Sequence, residues 1–86
     1  MRYILSKKFE KDFAKLPKST KEKVVVVFQG FIKNPNDVTL RNHELTGKLK
    51  DYFSINVTGD IRAVYTFVES DIVQFVAIGS HSKLYG

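Results

Sequence analysis

Cysteine is absent from this 86-residue sequence, so neither a disulfide framework nor a thiolate metal site is available to it. Long apolar runs are missing as well. The longest, Val24 to Phe28, falls far short of the roughly 18 residues of a membrane span. Behind Met1-Arg2-Tyr3-Ile4-Leu5 charge returns at Lys7, too soon for the apolar region of a secretory signal, so a cytoplasmic setting without a membrane partner is expected. There are no internal repeats, low-complexity segments or linkers, which predicts a single domain over residues 1–86. A chain this short buries only about 60–65% of the surface its unfolded form exposes, so its core must be compact.

Acidic residues are scarce where basic ones are dense. The formal charge is +5, and most of it lies in residues 1–33, where nine Lys/Arg face only Glu10, Asp12 and Glu22. The remainder, with Arg41, Lys48, Lys50, Arg62 and Lys83 against six acids, is close to neutral. Lysines on exposed helix faces often serve only solubility; a half this basic also suits a polyphosphate or an acidic protein.

The pattern of apolar residues predicts an α+β fold. Arg2 to Leu5 reads as a strand, and Ser6 stands where a helix N-cap belongs. Phe9, Phe13 and Leu16 follow at helical spacing up to Pro17. Ser19-Thr20-Lys21-Glu22 matches a capping box, and Val24, Val27, Phe28 and Phe31 form an apolar stripe that stops at Asn34-Pro35-Asn36. A helical hairpin is therefore expected over residues 7–33. A polar stretch follows, Asn34 to Lys50, in which Leu40, Leu45 and Leu49 are spaced to dock onto the body.

From Asp51 the period changes to two. Phe53, Ile55 and Val57 point one way; Tyr52, Ser54 and Asn56 point the other. Thr58-Gly59-Asp60 and Glu69-Ser70-Asp71 supply turns on either side of a strand from Ile61 to Val68, and a last strand runs from Ile72 to Ile78. The expected architecture is an antiparallel three-strand meander, joined by the N-terminal strand into one sheet, with the helices on one face. Arg62 would be costly to bury unpaired, so it belongs on the open face or its rim, or in an ion pair with Asp51 or Glu69.

Both histidines fall outside the apolar segments. His43 sits in the polar stretch, and His81 in a short polar tail behind Gly79. Imidazole exchanges a proton near neutral pH, and two of them in a basic protein suggest acid–base chemistry on an anion. Two histidines without cysteine or regular ligand spacing do not make an ordinary structural zinc site, and neither a phosphate loop nor a nucleophilic triad is visible.

Three segments together carry a resemblance: Asn42-His43-Glu44-Leu45-Thr46-Gly47-Lys48-Leu49, Asp60-Ile61-Arg62-Ala63-Val64-Tyr65, and Ile78-Gly79-Ser80-His81-Ser82-Lys83-Leu84-Tyr85. With Asp51-Tyr52-Phe53 between the first two, the chain resembles the RelE/ParE superfamily of bacterial toxins, and most closely its YafQ-like branch. The resemblance implies a RelE-like fold and a type II toxin that cuts messenger RNA on the ribosome without metal or other cofactor. It maps His81 onto the principal catalytic histidine, His43 and Asp60 onto its companions, Tyr85 onto the closing aromatic position, and Arg62 onto a phosphate-contacting arginine.

Two positions depart from the branch. Asn56 stands where another histidine is usual and Ile61 where a tryptophan is usual. On this reading Lys48, Lys50, Asn56 and Lys83 would contact the RNA, and either His43 or the Tyr85 hydroxyl would share proton transfer with His81. The open face is expected to gather His81, Asp60 and Arg62 in one hollow around a phosphodiester. The implied partners are a cognate acidic antitoxin, the ribosome and its messenger RNA, with operator DNA reached only through the antitoxin complex. The alternative is a toxin like the ParE branch, which acts by binding a protein such as DNA gyrase and cuts nothing.

Overall fold

In the computed structural model, which describes residues 1–85, Ser6 opens the first helix as its side-chain chemistry suggests. Its Oγ accepts from the Phe9 N–H at 3.0 Å and donates to the Val76 carbonyl at 3.2 Å, so one hydroxyl both caps the helix and ties it to the sheet. Strand β1 (Arg2–Leu5) precedes this cap; helices α1 (Lys7–Ala14) and α2 (Lys18–Lys33) follow it.

The Ser19–Glu22 capping box does not form. Pro17 takes the N-cap position of α2 with extended geometry, and its carbonyl already accepts from the Lys21 N–H at 3.0 Å. The first turn is therefore closed before Ser19 is reached, and a proline before the first turn gives up no backbone bond. Asn34 ends α2 as expected.

The sheet has five strands in the order β1-β5-β4-β3-β2, built from β2 (His43–Glu44), β3 (Tyr52–Asn56), β4 (Ile61–Glu69) and β5 (Ile72–Ser80). The meander is antiparallel, and β1 adds to β5 in parallel, with Tyr3 opposite Val73 and Leu5 opposite Phe75. His43 and Glu44, expected in a loop, pair instead with Ser54 and Phe53. A two-residue strand is too short to show a period, and it exists because the outer edge of β3 offers free backbone groups.

One face of the sheet is closed by the helices. Phe75 stacks on Phe28 with ring centroids 4.0 Å apart, and Phe31 meets both Phe75 and Tyr65 edge-on. Phe9, Ile55, Val73 and Ile78 complete a dry interior. Alternation then sends Ser54, Asn56, Arg62 and Val64 to the opposite face.

That opposite face is not left bare. Residues His81–Tyr85, expected as a polar tail, form a short helix, α3, with the Ser80 Oγ accepting from the Lys83 N–H at 3.2 Å at its start. The polar run was a helix cap rather than a tail. Leu84 and Tyr85 are half-buried against the sheet, and they border a hollow of about 410 Å³ with Leu49, Tyr52 and Val64.

Candidate functional site

The strand register decides which candidate residues become neighbours. Along β4 and β5, Ile61 lies opposite Ser80 and Arg62 opposite Gly79. Beyond that pair the ladder ends: Asp60 closes the β3–β4 turn and His81 opens α3, each one residue past the Ile61–Ser80 pair. On the other side of β4, Arg62 lies opposite Asn56. Cross-strand partners leave the sheet on one side, so Asn56 and Arg62 share a face at the end of the sheet where the Asp60 turn and α3 begin.

A second row runs through Ser54, which is buried although polar. The Tyr85 hydroxyl donates to its Oγ at 3.0 Å, and Ser54 is the register partner of His43. Tyr85 also holds the His81 ring edge-to-face, with centroids 4.8 Å apart and planes at 64°. His81 and His43 thus stand at the two ends of a Tyr85–Ser54 link. Residues four apart on a helix share a face, which is why His81 and Tyr85 meet.

His43 is exposed, and its Nδ1 lies 2.7 Å from the Arg41 carbonyl oxygen. A carbonyl only accepts, so Nδ1 carries the proton and Nε2 is the nitrogen turned to other work. Arg41 is left-handed, with φ 49°, at the end of a 3₁₀ turn spanning Val38–Leu40. The segment is braced next door: the Tyr65 hydroxyl donates to Asn42 Oδ1 at 2.9 Å, and the Asn42 amide donates to the Pro35 carbonyl at 3.0 Å. Burial pushes the Tyr65 hydroxyl pKa up, against the opposing pull of the Asn42 bond, so it stays a donor.

Arg62 pairs with neither Asp51 nor Glu69. Its Nη1 donates to the carbonyls of Thr58 at 3.1 Å and Gly59 at 3.2 Å, folding the guanidinium over the turn that carries Asp60. Among the described residues no carboxylate forms a salt bridge with it, and no hydrogen bond joins Asp60 to His81. Lys48 and Lys50 are exposed on the β2–β3 loop. Lys83 is drawn the other way, to Asp12 on α1.

Among the described residues, none of the main cavities is lined by His81, Asp60 or Arg62, so the shared hollow expected around them is not among these. His81 and Asp60 are exposed, and the hollow on the open face is lined by Tyr52, Val64, Leu84 and Tyr85 with neither of them. The physical reason is α3 itself, whose Leu84 and Tyr85 fill the middle of the face and move the depression away from the histidine. Sequence reasoning missed Ser54, the buried hydroxyl that anchors Tyr85; its place in the alternating strand beside Asn56 was the available signal. Among the described residues, no three His, Cys, Asp or Glu side chains cluster as a metal ion would require. No helix among the described residues is long and apolar enough to cross a membrane.

Comparison with known proteins bears on this arrangement. The family described as the bacterial toxin of the type II toxin–antitoxin system, YafQ, matches residues 1–86. A crystal structure of YafQ from E. coli strain BL21(DE3) superposes with a TM-score of 0.82 at 24% identity, covering 98% of this chain and 97% of that one. The solution structure of a conserved hypothetical protein, HP0894, from Helicobacter pylori gives 0.75 at 29% identity, covering 99% of each chain. The E. coli DinJ–YafQ toxin–antitoxin complex gives 0.79 at 24% identity, covering 98% of this chain and 96% of that one. No curated protein matches.

Proposed function

Because this chain belongs to the YafQ family of bacterial type II toxins, we propose that it is an endoribonuclease cutting translated messenger RNA through the 2′-hydroxyl. What supports the reading is the Ile61–Ser80 and Arg62–Gly79 register, which brings the segments bearing Asp60, Arg62 and His81 to one end of the sheet, while the Tyr85–Ser54 bond and the His43–Ser54 pairing lead to the other histidine.

Cleavage of this kind needs a base for the 2′-hydroxyl proton, donors for the crowded phosphorane and an acid for the leaving oxygen. His43 suits the base, since its Nδ1–H is committed to the Arg41 carbonyl and its Nε2 is the proton acceptor. As the 2′-oxygen attacks phosphorus, that proton passes to Nε2 and the P–O5′ bond breaks. His81 donates a proton to the departing 5′-oxygen, its ring steadied by Tyr85, and Asp60 on the nearby turn is its carboxylate companion. The products are a 2′,3′-cyclic phosphate and a 5′-hydroxyl.

Arg62 stabilises the phosphorane, a role that fits a guanidinium held by turn carbonyls rather than neutralised by a carboxylate. Asn56, its register partner, donates to the RNA but transfers no proton. Lys48 and Lys50 meet phosphates along the loop. Tyr85 positions rather than titrates, because its hydroxyl already donates to Ser54. The openness of the site fits work on the ribosome: a surface with one wall neither excludes water nor clamps a single strand, and the ribosome supplies the other wall.

The partner that restrains such a toxin is an antitoxin. The relative of known structure is seen bound to DinJ, and the basic half of this chain suits an acidic counterpart. Mapping 5′-ends of a message translated with wild-type or His81→Ala protein tests the nuclease reading. Wild type should create new ends and His81→Ala should lose them by about 100- to 10,000-fold. A wild-type protein that stops growth without cutting any message would reject the nuclease and favour a toxin that acts by binding.

A further inference from the structure

The residue that begins this inference lies outside the proposed catalytic set. Asp12, on α1, is a nearly buried carboxylate, 8% exposed. Two ammonium groups reach it. Lys8, one turn earlier on the same helix, donates to Oδ2 at 2.9 Å, and Lys83 of α3 lies 3.6 Å from Oδ1. Lys8 alone satisfies the ordinary helical pairing, so the contact from Lys83 is the one that links two elements otherwise distant in sequence.

The path of Lys83 is cut into the sheet. Its stem crosses β5 at Gly79, where a Cβ would stand 3.0 Å from Lys83 Cδ and 3.6 Å from Cγ. A side chain at position 79 would press on that stem. The bare glycine of the Gly79-Ser80-His81 segment therefore leaves room for the stem of the lysine two residues past the histidine. Meanwhile α1 is pinned to the same strand through the Ser6 hydroxyl on the Val76 carbonyl. Asp12, β5 and α3 close a ring whose last free member is His81.

Resting on the nuclease reading above, we propose that Asp12 is a positioning residue for His81: by holding Lys83 across Gly79 it fixes α3, and with it the orientation of the imidazole. A helix of five residues has too few internal bonds to persist alone in water, so its order must come from docking. Two side chains supply that docking from opposite ends of the body, Tyr85 through Ser54 and Lys83 through Asp12. Lys83, which the sequence suggests as an RNA contact, is on this account a strut whose ammonium is turned away from the strand it would bind.

The two roles for Lys83 predict opposite results when Asp12 is changed. Asp12→Asn keeps the shape and removes the charge. If the carboxylate positions α3, cleavage of a message on purified ribosomes should fall about 10- to 100-fold in kcat with KM unmoved, because the histidine is misaligned and not lost. Lys83→Gln should do the same, the double variant should be no worse than either single one, and Lys83→Arg should restore activity. If Lys83 instead serves RNA, Asp12→Asn releases it, and KM should fall or stay level with kcat intact; that result overturns the proposal.

Amide hydrogen exchange supplies a readout independent of any nuclease. In Asp12→Asn and in Lys83→Gln the amides of Leu84 and Tyr85 should exchange faster, while those of β4 and β5 keep their protection. Should Asp12→Asn fail to fold, the exposed Lys83→Gln still delivers the measurement. Unchanged exchange at Leu84 and Tyr85 in a folded variant rejects the strut whatever the enzyme assay gives. Faster exchange with no cleavage by the wild type keeps the strut and faults the nuclease reading instead.

Discussion

The two faces of the β3–β5 meander are made by alternate residues of the same strands, and they are built on opposite terms. On the helix side Ile55, Ala63, Tyr65 and Phe75 are sealed by Phe9, Phe28 and Phe31, ring against ring. On the other side Ser54, Asn56, Arg62 and Val64 meet a helix of five residues held by single side-chain contacts. Stability is concentrated on one parity and the proposed chemistry on the other. A period of two lets each be altered without touching its neighbour.

That separation can be broken most forcefully at Phe75, which contacts both helices. Phe75→Ala should cost about 3–5 kcal/mol, a large part of the whole stability of a small domain, and thermal unfolding should show it. His81→Ala should do the reverse, leaving stability within about 0.5 kcal/mol while message cleavage falls by two to four orders of magnitude. A large drop in melting temperature for His81→Ala would mean that the open face is structural after all.

Tyr85→Phe sharpens the contrast on a smaller scale. It keeps the ring against His81 but strips Ser54 Oγ of its donor, so α3 docking should weaken by about 1–3 kcal/mol and cleavage should drop roughly tenfold. Acid gives the smallest effect at ordinary pH. Burial raises the Asp12 carboxyl, but Lys8 and Lys83 outweigh it and hold the group below its ordinary value of 3.8. A carboxyl held down stabilises fully above that value and loses its contribution as pH falls through the lowered one. Its two charged neighbours are Lys8 from α1 and Lys83 from α3. Exchange at Leu84 and Tyr85 should thus be flat with pH near neutrality, once intrinsic rates are removed, and rise only below 3.8.

Much of this architecture was legible because it is written in periods. Phe9, Phe28 and Phe31 at helical spacing and Ile55 and Val57 at alternate positions announce their burial without any knowledge of partners, and Phe53 packs half-buried beside them. What escaped was set by contacts the local pattern does not encode. His43–Glu44 becomes a strand because β3 offers it an edge, and α2 starts at Lys18 because the Pro17 carbonyl has already closed the turn. His81–Tyr85 becomes a helix because Ser54 and Asp12 wait on distant segments.

The candidate site divides in the same way. His81, Asp60, Arg62 and His43 could be singled out by residue type and motif, and the ladder brings the segments that carry Asp60, Arg62 and His81 to the same end of the sheet. That His81 and Asp60 stand on open surface could not be read, since it depends on where α3 lies. Ser54 and Asp12 were hidden because a serine in a strand and an aspartate among lysines look ordinary until their partners are known.

The central claim is that His81, His43 and Arg62 converge on one phosphodiester. It is tested most directly by titrating the protein with a short RNA made uncleavable by a single 2′-deoxy residue, following the imidazole C–H signals of both histidines and the Arg62 side-chain N–H by NMR. The account expects the three signals to move together along one saturation curve, with Phe75 and Phe31 on the sealed face undisturbed. Signals that shift at separate RNA concentrations, or lysines that respond while both histidines stay still, would contradict it.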